Sequence, residues 1–178
     1  RIDTLRGNVN TRLRKLDEGQ YDAIILACAG LQRLGMPDRI RQELRYPDFL
    51  PAIGQGIIGI ECRSLDENTR ELILALHDHT TAIRLTAERA MGAALNASCR
   101  TPLAGQALVR HDRIIMHGRI GMPDGSRMLS EVCEGTLDEA AATGRKVAQK
   151  LLARGAADIL RDLGQTLESV SYTHLRAH

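Results

Sequence analysis

Arg6, Arg12 and Arg33 are the residues of this 178-residue chain whose type and placement could do chemistry first. Arg6 closes the short strand-like segment Ile2–Leu5, and Arg33 follows the apolar run Ala23–Cys28. Arg12 lies about one turn into the helix expected between them. In an open α/β sheet, ligands bind in the crevice at the carboxyl ends of the strands. Gly7 and Asn8 would let backbone N–H groups approach an anion where that helix begins. Guanidiniums gathered there suit a polyanion, a polycarboxylate above all, because the planar fork grips a carboxylate at two points. The competing reading is three solvated surface arginines. Cys99, in Ala97-Ser98-Cys99-Arg100-Thr101-Pro102, is the other candidate. A loop thiol beside an arginine can be a nucleophile or an attachment point. The negative end of the preceding helix works against it, and a lone loop cysteine can also be incidental.

Other chemistries find less support. Cys28, Cys62, Cys99 and Cys133 are widely spaced, and neither they nor the six histidines make a metal-ligand motif. Reduced thiols in a cytoplasmic protein are the expectation. The net charge of +2 argues for no nucleic-acid partner, and an aromatic content of 2% removes most base-stacking platforms. All the basic residues but Lys15, Lys146 and Lys150 are Arg. No apolar run is long enough to span a membrane. Glu88-Arg89 reads as a solvated helix pair, with burial at a domain interface as the other reading.

The elements that must position these residues fall into two textures. Ile2–Leu5 and Ala23–Cys28 read as strands, the second a continuous apolar run suited to burial on both faces. Val9, Leu13 and Leu16 give a helix between them, with Asn8 as N-cap and Gly19 as stop. A second short helix follows Ala29-Gly30-Leu31. Strand and helix alternating in this way predict a parallel α/β unit. Pro51, Gly54 and Gly56 around Gln55 make a turn or a hinge between domains. Ile57–Cys62 reads as another strand, and Asp66 opens a helix carrying Leu72, Ile73 and Leu76. From about His77 the texture changes. A helix over Ala82–Leu95 precedes strands Leu103–Val109, Arg113–Ile120 and Arg127–Cys133, joined by His111-Asp112 and Pro123-Asp124-Gly125. One or two helices over Leu137–Leu163, broken near Gly155, complete a small α+β domain with a three-stranded antiparallel sheet. Residues 171–178 fit no element and are expected to be a non-native or disordered tail.

Several stretches occur in one order: Leu5-Arg6-Gly7-Asn8-Val9-Asn10-Thr11-Arg12-Leu13, Tyr21-Asp22-Ala23-Ile24-Ile25-Leu26-Ala27, and Ala29-Gly30-Leu31 with Arg33. Leu50-Pro51-Ala52-Ile53-Gly54-Gln55-Gly56, Gly59-Ile60-Glu61-Cys62-Arg63, Thr86-Ala87-Glu88-Arg89-Ala90 and Pro123-Asp124-Gly125-Ser126 follow. Together they resemble the porphobilinogen deaminase (hydroxymethylbilane synthase) family over Arg1 to about Val170. The resemblance implies head-to-tail condensation of four porphobilinogen units, with release of ammonia, on a covalently bound dipyrromethane primer. It implies Cys99 as the thioether attachment, Arg6 and Arg12 as primer-binding residues and Arg33 as substrate-binding, with Gly7, Asn8 and Gln55 as further candidates. Where the family has Gly-Gly-Cys-Gln-Val-Pro, this chain keeps the cysteine and proline but not the flanks. Three domains are implied, the first two like periplasmic binding proteins. Residues 1–52 would be the latter part of domain 2, 53–76 a return to domain 1, and 77–170 domain 3. The family's catalytic aspartate would then precede Arg1, leaving none in this chain and the chain alone inactive. A monomer is expected when complete. A non-catalytic α/β module that senses carboxylates is the alternative, distinguished by having no need of the cysteine loop.

Overall fold

The computed structural model describes residues 1–98 and 100–164, and the chain divides into two compact units, Arg1–Asp48 and Phe49–His178. Cys99 and the tail expected at 171–178 lie outside the described residues.

In the first unit, helix α1 (Val9–Asp17) starts where Asn8 Oδ1 accepts the Thr11 amide at 2.8 Å. It buries Leu13 and stops at Gly19, whose φ is +73°. Helix α2 (Cys28–Arg33) buries Leu31, and a single 3-10 turn follows at Pro37–Arg39. The helices are those expected; the strands are not. Ile2–Leu5 and Ala23–Ala27 carry no ladder, and Cys28 begins α2 instead of ending a strand. Ile57–Cys62, in the second unit, is likewise without a ladder. A strand exists through its neighbour's N–H and C=O groups, and among the described residues these segments have no such neighbour. Ile25 is 71% exposed, so the burial on both faces expected of Ala23–Cys28 is not met, and Ile58 is 78% exposed.

The second unit is built around a sheet in the order β1 (Leu103–Arg110), β2 (Arg113–Gly121), β3 (Met128–Thr136), all antiparallel. Its register runs from Leu103↔Ile120 to Arg110↔Arg113 and from Arg113↔Thr136 to Gly121↔Met128. The third strand extends beyond the expected Cys133. Helices α4 (His79–Ala94) and α5 (Ala140–Ala153) cover one face, with α6 (Ala156–Asp162) entered through Gly155 at φ +95°. Met91, Leu95, Ala107, Ile114, Met116, Ile120, Val147 and Leu151 close the core with no exposed surface. Ahead of it, α3 (Glu67–Leu74) buries no residue, and Leu72 and Leu74 are exposed.

Asp66 and Asp78 cap α3 and α4 through the Thr69 and Thr81 amides. The amide and hydroxyl of Thr69 hold the Asp66 carboxyl below the usual carboxylate range, as the hydroxyl and amide of Thr81 do for Asp78. Carboxyls depressed on folding stabilise the fold above their ordinary range, and this contribution is lost as pH falls through their folded values.

The close approach of α4 and α5 depends on Gly144, where an added Cβ would be driven into the Ala87 carbonyl. Gly144→Ala is expected to cost about 1–3 kcal/mol by overpacking against backbone that has nowhere to move. Urea denaturation with an unchanged midpoint would show that the helices separate freely.

Candidate functional site

The turn entering α1 is organised by its own side chains. Gly7 has φ +120°, and a Cβ there would meet Thr11 Cγ2 at 2.9 Å, so both backbone and space call for glycine. Its carbonyl accepts from Arg12 Nε at 2.7 Å, and the Arg6 carbonyl from Lys15 Nζ at 3.4 Å. Arg12 therefore folds back over the turn, with its two terminal nitrogens free for a second partner. Gly30 of α2 faces Val9, where a Cβ would stand 3.9 Å from Val9 Cγ2. Arg33 lies one turn further along α2. The structure thus gathers Arg6, Gly7, Asn8 and Arg12 at one turn and brings Gly30 of α2 near Val9.

The charges of this unit sort themselves. Arg1, Arg14, Arg39 and Arg45 pair with Asp3, Glu18, Asp17 and Glu43. Arg6, Arg12 and Arg33 pair with no carboxylate among the described residues, and neither do Lys15 and Arg41. Unpaired guanidiniums beside backbone N–H groups are a donor set for carboxylates.

In the second unit, Pro51–Gly56 forms consecutive turns. Gln55 N–H donates to the Ala52 carbonyl at 3.1 Å, and Ile57 N–H to the Gly54 carbonyl at 3.2 Å. Gln55 itself is exposed. At the far end of α4, Ala97 N–H returns to the Gly92 carbonyl at 2.9 Å, and Ser98 N–H reaches Thr101 Oγ1 at 2.8 Å. The chain is therefore held on both sides of position 99.

Two family models match this chain. The porphobilinogen deaminase dipyrromethane cofactor binding domain covers residues 1–71, and the porphobilinogen deaminase C-terminal domain covers residues 82–153. The chain belongs to the porphobilinogen deaminase family. Its cofactor is dipyrromethane, and its place is among the transferases of tetrapyrrole biosynthesis. The family binds porphobilinogen. Arg6, Arg12, Arg33 and Gln55 fall inside the first match and Cys99 inside the second. No described helix of this porphobilinogen deaminase chain is long and apolar enough to cross a membrane.

Of the two readings of Glu88, solvated or buried, the structure bears out burial. Glu88 is not solvated: it is 3% exposed and bonded to backbone on two sides. The signal was available in its spacing, because Arg84, Glu88, Met91 and Leu95 share one face of α4.

Proposed function

We propose that this chain supplies the carboxylate-holding and primer-tethering parts of hydroxymethylbilane synthase, joining four porphobilinogen units head to tail with release of ammonia. The observation that carries this reading is the trio of guanidiniums, Arg6, Arg12 and Arg33, left without carboxylate partners at the start of α1 and the end of α2. Arg6 and Arg12 hold the acetate and propionate groups of the primer, with Gly7 and Asn8 beside them, and Arg33 holds those of the incoming substrate. Cys99 carries the thioether. Bound dipyrromethane would supply the nucleophilic pyrrole carbon that takes the first unit, each later unit joining the ring added before it. Fixing the carboxylates sets the reacting carbons at bonding distance, which converts an encounter of two pyrroles into an oriented reaction. No aspartate of this chain is assigned as the proton donor. We further place residues 1–52 in a periplasmic-binding-protein-like second domain, 53–76 in a return to the first and 77–170 in the third. The complete enzyme is read as a cytoplasmic monomer.

Two measurements on the complete enzyme test this. Ehrlich's reagent, which colours dipyrromethanes, should react with the purified protein. Arg12→Lys should lower kcat/KM about ten- to a hundredfold, the kinetic equivalent of one charge-assisted hydrogen bond. Lysine keeps the charge but loses both the Nε bond to Gly7 and the planar fork. Arg127→Lys is the control, since the one ion pair of Arg127 among the described residues is a long, exposed one of 3.9 Å with Asp158. Wild-type turnover in Arg12→Lys would return Arg12 to the solvated surface.

A further inference from the structure

The buried carboxylate of Glu88 joins two parts of the chain far apart in sequence. Its Oε1 accepts from the Ala107 amide at 2.9 Å, and its Oε2 from the Gly54 amide at 2.7 Å. One turn earlier on α4, Arg84 Nε donates to the Ala107 carbonyl at 2.8 Å. Helix α4 thereby satisfies both outward-facing groups of Ala107 on β1, an edge strand of the sheet, where a neighbouring strand would otherwise be needed. The next outward-facing residue, Gly105, donates its amide to the Pro51 carbonyl at 2.9 Å, and Ala52 bridges Ala104. Between these bonds Ile53 is wedged against two glycines. A Cβ on Gly92 would come within 2.6 Å of Ile53 Cδ1, and one on Gly105 within 3.1 Å of Ile53 Cγ2. Gly92 is also the residue whose carbonyl closes the end of α4 through Ala97.

The Ala52–Gly56 turn is therefore docked by a wedge, a strand-edge bond and a buried carboxylate on the helix that leads, eleven residues after Glu88, into Cys99. We propose that Glu88 is a positioning residue of the polymerisation: it locks the turn bearing Gln55 to the helix that carries the primer loop, so that turn and tether keep one frame. The inference rests on the function proposed above. A carboxylate suits the task because it accepts from two amides at once. An amide side chain offers one acceptor and one donor, so one of the two backbone N–H groups would face a donor.

The test is Glu88→Gln in the complete, primer-loaded enzyme. Ehrlich colour per mole of protein should equal that of wild type. Turnover per Ehrlich-positive site should fall about tenfold, since small misplacements of a reacting frame are costly in rate. KM for porphobilinogen should stay within about twofold. Ile53→Ala loosens the same turn without touching the carboxylate and should give the same split. The double variant should be no slower than the slower single one, the signature of a shared element. A purely structural role would lower the yield and the melting temperature while leaving kcat per loaded site unchanged, and that result overturns the proposal. If Glu88→Gln does not fold, Ile53→Ala decides alone: unchanged kcat overturns, and a fall in kcat at constant KM supports. A loaded wild-type protein that makes no hydroxymethylbilane would instead sink the enzymatic reading and this role with it.

Discussion

Cys99→Ser in the complete enzyme gives folded protein that stays colourless with Ehrlich's reagent and makes no detectable hydroxymethylbilane. Serine keeps the size of the side chain but is a far weaker nucleophile toward an electrophilic pyrrole, so no primer is attached and nothing can be extended. The other cysteines are poorly placed for the task. Cys133 lies in the core of the second unit at 5% exposure. Cys28 opens α2 and Cys62 lies in a segment without a ladder, both half-buried. Cys28→Ser, Cys62→Ser and Cys133→Ser should stay coloured wherever they fold. Peptide mapping after thiol reduction is the sharper measurement, because a thioether survives conditions that break a disulfide. An adduct on any peptide but that of Cys99 would overturn the tether assignment and the domain map drawn with it.

The second large effect is expected of the 178-residue chain purified by itself: porphobilinogen goes in and no hydroxymethylbilane comes out. The arginines and the tether proposed above lie in this chain, but none of its aspartates is assigned to protonate the leaving nitrogen, a contribution of the order of 10²–10⁴-fold for general acid catalysis. The chain also leaves apolar side chains in water. Ile25, Ile58 and Leu72 are exposed among the described residues, and the segments containing the two isoleucines have no strand beside them. Product formation above that of a heat-inactivated sample would refute the expectation.

What could be read directly from the residues is local or compositional. Asn8 before Val9, Gly19 after Glu18, Asp66 before Glu67 and Gly155 between two helical runs each act within a few residues, and each does in the structure what its chemistry requires. The meander was equally legible, because two tight turns separate strands that pair with their immediate neighbours. The family resemblance lay in stretches that the two matches also cover. The failures are all non-local. An apolar run such as Ala23–Cys28 has strand chemistry, but a ladder needs a second chain segment, and no property of the run itself supplies one. Glu88 could be read as solvated or buried, and the choice falls to Gly54 and Ala107, thirty-four residues before it and nineteen after. The Pro51–Gly56 stretch could be read as turn or hinge; its docking onto α4 and β1 depends on the space that Gly92 and Gly105 leave for Ile53. Caps, turns and motifs are set by neighbours in sequence, so the sequence by itself determined them. Burial and pairing are set by neighbours in space, and only the folded chain brings those together.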